Sequence, residues 1–240
     1  MTEGIPAAMS DYTLYYWPIP FRGQFIRAIL AHAGKTWDEF DAKAIGDLME
    51  SKPRAQPVPF MGPPVLLEHA TDVALSQMPA IAAYLGETLG LMPTGVAGRA
   101  MALKVVNDAN DVIDELTLNG GQTMWSAKAW REFLPRLDHW MTIWETTAER
   151  HGVSPDIGCL LGGHAPTIAD IVTATLWGTM GAQFPILADK LVATAPLTAA
   201  LTARINRLPA LAQLAITTRE RFGNVYCGGQ IEKSLRSVAV

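Results

Sequence analysis

The spacing of apolar positions changes along the chain. Between Tyr12 and Trp17 aromatic and β-branched residues run together, the mark of a strand. From Phe21 the period lengthens. Phe21, Phe25, Ile29 and Ala33 recur every four residues and predict a helix over 21–33, with Gly34 as its stop. Thr36 to Ala42 alternates weakly and predicts a second strand. Lys52 to Pro64 is punctuated by prolines and reads as loop. Val65–Leu67 and Val73–Leu75 form a short hairpin, followed by a helix over 77–89 with Ile81, Tyr84, Leu85 and Leu89 on one face. This order, β-α-β then β-β-α, suits a small mixed sheet with helices on its faces.

Near Leu91-Met92-Pro93-Thr94 the strand signals nearly vanish and helical periodicity takes over. Helices are predicted over 97–118, 126–150, 167–183, 197–207 and 211–222. The expected organisation is a sheet-and-helix domain over 11–91, an all-helical domain over 95–225 and a tail over 226–240. Residues 1–10 read as a loose leader. The helix starting at Thr167 is nearly apolar all round and belongs in a core. Its Thr167-Ile168-Ala169-Asp170 start has the form of a capping box, in which Thr167 and Asp170 satisfy each other's exposed backbone donors. That role is structural.

Composition narrows the classes. Of 240 residues, 49% are hydrophobic and 18% charged, an ordinary globular balance. A net charge of −4 gives no electrostatic footprint for nucleic acid. Cys159 and Cys227 lie far apart, form no zinc-ligand pair and leave a disulfide framework unneeded, which fits a reducing cytoplasm. The first residues lack a basic segment followed by an apolar run, so no signal peptide is expected. Nor is there a run of about 18 apolar residues that would span a membrane. Asp108, Asp111 and Asp114 recur along one helix but no histidine joins them, so they read as a solvated face and no metal site is expected.

The candidate chemistry lies around Pro63-Pro64. Proline cannot donate to a sheet ladder, so Pro64 at the mouth of a strand needs a special reason. A cis peptide bond, confined in practice to X-Pro, is one. The helix that starts just downstream, near Ser76 and Gln77, offers free backbone N–H groups to a carboxylate. Together these features point to a pocket for a small, anionic, peptide-like ligand.

Three motifs in this order resemble the cytosolic glutathione transferase family, in its tyrosine-type, bacterial-like form. The first is Tyr12-Thr13-Leu14-Tyr15-Tyr16-Trp17 continuing to Phe25-Ile26-Arg27. The second is Phe60 to Leu67 with Leu75 to Leu85. The third is Pro166-Thr167-Ile168-Ala169-Asp170-Ile171. The resemblance implies an α/β plus all-α fold: an N-terminal thioredoxin-like domain with a cis-proline, then a C-terminal helical bundle. It also implies glutathione as co-substrate, small hydrophobic electrophiles as partners, a homodimer, a cytoplasmic location and a role in detoxification.

By the same resemblance Tyr16 takes the place of the activating tyrosine. A free thiol is mostly protonated at neutral pH, and a hydroxyl donating to the sulfur favours the thiolate. Pro20 falls where other classes carry a serine or cysteine, which closes that route. Strand alternation puts Tyr15 on the opposite face from Tyr16. Gln77 corresponds to the residue that meets the γ-glutamyl end, and Lys52 lies where a basic residue often meets the glycine carboxylate. Trp17, in the apolar loop Trp17-Pro18-Ile19-Pro20-Phe21, offers a wall for the co-substrate. Two positions depart from the family pattern. Met78 replaces a serine, and Pro63 removes an N–H that would pair with the cysteinyl backbone. Two alternatives follow: a non-catalytic glutathione- or ligand-binding protein, and a specialised glutathione-dependent isomerase or ether-cleaving enzyme. Val105, Val112 and Trp125 are apolar candidates for either a dimer interface or the core.

Overall fold

The computed structural model describes residues 10–240. The expected loose leader therefore lies outside the described residues, apart from Ser10. A four-stranded sheet has the order β2-β1-β3-β4. Strand β1 is Tyr12–Tyr15, β2 is Trp37–Glu39, β3 is Val65–Glu68 and β4 is Val73–Ser76. β1 runs parallel to β2 and antiparallel to β3, and β3 pairs antiparallel with β4. Helix α1 (Phe21–His32) crosses between β1 and β2, and α3 (Met78–Thr88) follows the hairpin. Both strands predicted near the N-terminus are shorter than their sequence patterns. β1 stops at Tyr15 and β2 at Glu39.

Long helices make up the rest: α4 (Val96–Leu116), α6 (Ala127–Arg150), α7 (Ile168–Gln183), α9 (Pro196–Asn206) and α10 (Pro209–Phe222). Each starts and stops within about two residues of its predicted span, the ordinary uncertainty of helix ends. A short kinked turn, α5 (Leu118–Gly121), follows α4. Three helices stand where none is predicted: α2 (Ala42–Glu50), α8 (Pro185–Thr194) and α11 (Gly229–Val238). The last occupies most of the expected tail.

Helix α7 runs through the core, with eleven of its side chains buried from Ile168 to Met180. Asp170 is fully buried and accepts from the Thr167 N–H at 2.8 Å, the Thr167 hydroxyl at 2.9 Å and the Leu160 N–H at 2.7 Å. Glu145 on α6 caps a second helix start, accepting from the N–H groups of Leu197 and Thr198, each at 2.9 Å. Val105, Val112 and Trp125 are all buried in the core of the single chain, so they do not present an interface. Among the described residues no helix is long and apolar enough to cross a membrane.

A buried ion pair joins distant segments. Arg27 Nε and Nη2 donate to the two oxygens of Glu39 at 2.8 and 2.9 Å, and both side chains are almost fully enclosed. Burial pushes the Glu39 carboxyl up, but hydrogen bonds from Arg27 and Trp37 outweigh it and hold the group below its usual range. Arg27 Nη1 donates to the Ile19 carbonyl at 2.9 Å. Arg221, at the end of α10, approaches Glu39 from outside at 3.1 Å. Removing one member strands the other charge without its partner. Glu39→Gln is expected to destabilise the protein by about 3–5 kcal/mol in chemical denaturation. The double variant Arg27→Met/Glu39→Leu is expected to lose less than the two single changes added together.

Candidate functional site

The register of the sheet assembles the site. Tyr15 pairs with Val65, and Val65 pairs with Ser76. One step further along the three strands lie Tyr16, Pro64 and Gln77, which therefore meet at one end of the sheet. The Gln77 N–H donates to the Pro64 carbonyl at 3.2 Å. The Pro63–Pro64 peptide bond is cis. Gln77 is exposed and precedes α3 with φ of 74°, a left-handed conformation that costs a non-glycine residue about 1 kcal/mol or more.

Tyr16 sits just beyond the end of β1 with its ring 3% exposed. The start of α1 holds it on one side. The Arg22 N–H donates to the Tyr16 hydroxyl at 3.0 Å. Gly23 lies against the ring so closely that a Cβ there would stand 2.2 Å from Cδ1. Burial pushes the phenol up to about 12, while the Arg22 and Arg27 charges and the α1 N–H groups pull it down. Burial prevails, so the phenol is neutral at physiological pH. An oxygen that accepts from Arg22 keeps its own hydrogen to donate.

Arg22 is the site residue that sequence reasoning missed. Its guanidinium pairs with Asp114 on α4 at 2.9 Å and donates to Asn110 at 3.3 Å. Asp114 keeps its place on the solvated row, its side chain 43% exposed in the pair with Arg22, and Asp108 pairs with Lys104. Among the described residues no group of three or more His, Cys, Asp or Glu is placed to hold a metal ion. The Tyr16-to-Arg22 link runs from a side chain to a backbone N–H, and no residue-type pattern carries it.

The other predicted residues are placed less uniformly. Trp17 is half-buried against the core, and Pro63 is half-buried beside Pro64. Met78 is 1% exposed and packs into the core, so only its backbone faces this end of the sheet. Lys52 is exposed ahead of the 3₁₀ turn Pro53–Ala55. Tyr15 turns away and stacks on Phe40, their ring centroids 5.0 Å apart.

The chain beyond α10 closes over the loop that follows Tyr16. The Tyr226 carbonyl accepts from the Phe21 N–H at 3.3 Å, and the two rings meet edge to face at 5.5 Å. Glu232 organises this segment by accepting from the N–H groups of Tyr226, Cys227 and Gly228 at 3.0, 3.0 and 2.6 Å. Burial pushes the Glu232 carboxyl up, and these bonds with Arg236 bring it below its ordinary value. Burial pushes Cys227 up to about 12 and Cys159 up to about 11, so neither is a ready thiolate at neutral pH.

Comparison with known proteins places this arrangement. Residues 101–238 match the family model described as glutathione S-transferase, C-terminal domain. The chain belongs to the glutathione S-transferase family. Its structure is similar to that of NaGST-2, with a TM-score of 0.70 and 25% identity, over 87% of this chain and 97% of that one. It shares its fold with monomeric Na-GST-3 from the hookworm Necator americanus (TM-score 0.69, 20% identity, 86% of this chain and 97% of that one). A nematode-specific transferase of C. elegans is similar to the same degree (TM-score 0.69, 21% identity, 87% and 97%). No curated protein sequence matches.

Two outcomes follow from the packing around Tyr16. Gly23→Ala forces the ring to move and is expected to cost about 1–3 kcal/mol in denaturation, with an altered near-ultraviolet signal. Tyr16 titrates above its unfolded value of 10.0, so its contribution to stability is complete below that value and is lost as pH rises towards about 12. Absorbance titration of tyrosinate is expected to lose one late-ionising group in Tyr16→Phe and none of the groups that ionise first.

Proposed function

We propose that the protein is a tyrosine-type glutathione transferase that conjugates the glutathione thiolate to small hydrophobic electrophiles. One observation carries the reading. A neutral phenol, held by the α1 N-terminus, stands at the same sheet end as the cis Pro63–Pro64 linkage and Gln77. A protonated hydroxyl there donates to the sulfur, lowers its proton affinity and leaves the nucleophile ionised at neutral pH. Glutathione then lies along the Pro64 edge, with its γ-glutamyl end at Gln77 and the α3 start. Met78 contributes backbone rather than a side-chain donor, and Pro63 offers a carbonyl but no N–H. Lys52 is the candidate partner for the glycine carboxylate, and Trp17 for the electrophile. The residue ranges 11–91 and 95–225 serve as glutathione-binding and helical domains, with 226–240 as an appended segment. The family membership supports a cytoplasmic, homodimeric detoxification enzyme. Sedimentation velocity showing only monomer would refute the dimer.

A second reading is favoured by the burial of Tyr16 and by the Tyr226 segment that bonds Phe21 in the loop after it. Here the scaffold binds glutathione or a related ligand without turnover. Titration calorimetry and a general aryl-halide assay separate the two. Under the transferase reading glutathione binds, the aryl halide is consumed, and Tyr16→Phe lowers kcat/KM by about 10–100-fold while binding persists. Binding without turnover supports the second reading. Undiminished rates in Tyr16→Phe, or no glutathione binding at all, overturn the first.

A further inference from the structure

Phe21 opens α1 with a φ of 21°, a conformation that residues with a Cβ rarely adopt. The next N–H along the chain, that of Arg22, is the one that donates to the Tyr16 hydroxyl. A backbone held in such a region persists only where its surroundings fix it. Here the hold comes from the far end of the chain. The Tyr226 carbonyl accepts from the Phe21 N–H at 3.3 Å, and the Tyr226 ring stands edge to face between Phe21 and Phe184, at 5.5 and 5.4 Å.

Tyr226 belongs to no helix, so another group must set its backbone. Glu232, buried on α11, does so. Its Oε2 accepts from three successive N–H groups, those of Tyr226, Cys227 and Gly228. Consecutive N–H groups turned onto one anion form a nest, and the charge holds the backbone in that shape. Its Oε1 accepts from Arg236, one turn further along α11. The helix that carries this carboxylate is itself tied down. Arg236 donates to the Gln183 carbonyl at 3.3 Å and lies over the Phe184 ring. Ser234 accepts from the Trp125 N–H at 3.2 Å, and Ile231 packs on Gly121, where a Cβ would stand 3.2 Å from its own. Glu232 thus joins an anchored helix to the start of α1.

We propose that Glu232 is a positioning residue for Tyr16, acting through Tyr226, Phe21 and the Arg22 N–H. The carboxylate fixes the Tyr226 carbonyl, the carbonyl holds the Phe21 backbone, and Phe21 aims the next N–H at the phenol oxygen. A hydroxyl that accepts a hydrogen bond is polarised by it and donates more strongly in turn. The ionisable groups near the phenol are Arg22 and Arg27 on α1 and the Tyr226 phenol, and a substitution at 232 leaves all three in the sequence. The inference rests on the reading of Tyr16 as the donor to the glutathione sulfur. The chain of contacts from Glu232 to Arg22 stands without that reading.

Two measurements on the full chain test it, with Glu232→Ala and with Glu232→Gln, which keeps the shape and removes the charge. Without ligand, hydrogen exchange at the Phe21 and Arg22 amides is expected to quicken about tenfold or more in both variants, while the α7 amides keep their protection and show the fold intact. With glutathione and an aryl halide, the apparent pKa of the bound thiol is expected to rise by about one unit. The variants then lose about tenfold in kcat/KM at low pH, recover at high pH where the thiol ionises unaided, and bind glutathione as tightly as the parent. In a Tyr16→Phe background Glu232→Gln is expected to shift that pKa no further, because both changes act on one contact. Unchanged exchange at residues 21 and 22 overturns the proposal. So does an equal loss of rate at every pH, or a second full shift in the Tyr16→Phe background. If the parent chain turns over no glutathione, the transferase reading fails and the exchange measurement alone decides the role of Glu232.

Discussion

The buried pairing of Arg27 with Glu39 is the constraint on which the rest of the structure depends. An unpaired charge in that position would be intolerable, so the two side chains must meet, and meeting fixes their elements. Arg27 comes from the middle of α1 and Glu39 from the end of β2. The third arm of the guanidinium holds the carbonyls of Ile19 and Pro20, which belong to the loop that carries the chain away from Tyr16. The same guanidinium lies over the rings of Tyr16 and Phe222. One cation thus sets the position of the candidate phenol, the pitch of α1 against the sheet and the docking of the last long helix.

The site follows from that arrangement by ordinary sheet geometry. Antiparallel register places the residues after β1, before β3 and after β4 side by side, and the α1 N-terminus then supplies N–H groups to whatever stands at the end of β1. A phenol there is buried, and so stays protonated, yet its oxygen is not left unsatisfied. The arrangement makes a hydrogen-bond donor rather than a base. Arg22 contributes twice, with its backbone to Tyr16 and its side chain to Asp114 across to α4. The phenol's surroundings are therefore set by both the sheet region and the helical region.

Much of this was legible in the chain because burial and periodicity coincide. α1, α3, α4, α6, α7, α9 and α10 each show an apolar repeat, and the hairpin of β3 and β4 sits between clear turn signals. The three missed helices fail that test. In α2 only Ile45 is buried, and in α8 only Leu187 and Leu191 are. A helix on the outside of a protein needs little apolar surface, so its signal lies in its cap. Asp41 accepting from the Ala44 N–H at 2.8 Å is such a signal for α2, and Pro185 at the first turn is one for α8. For α11 the pair Ile231 and Leu235 with Glu232 between them was visible, but it follows two glycines. Of the site, Tyr16 and Pro64 were readable from local motifs. The Arg22–Asp114 pair and the docking of Tyr226 on Phe21 were not, because both depend on which distant segment arrives.

Arg221 and Phe222 converge on the same buried pair as Arg27 and Glu39, so the two ends of the sequence are not free to diverge separately. A chimaera that joined this N-terminal sheet to the helices of another family member would bring a foreign surface to Glu39 and to the ring of Tyr16. Grafting the helices alone would exchange the electrostatic environment of the phenol along with the scaffold. Such hybrids are better cut so that the segment carrying residues 219–232 travels with its own first forty residues.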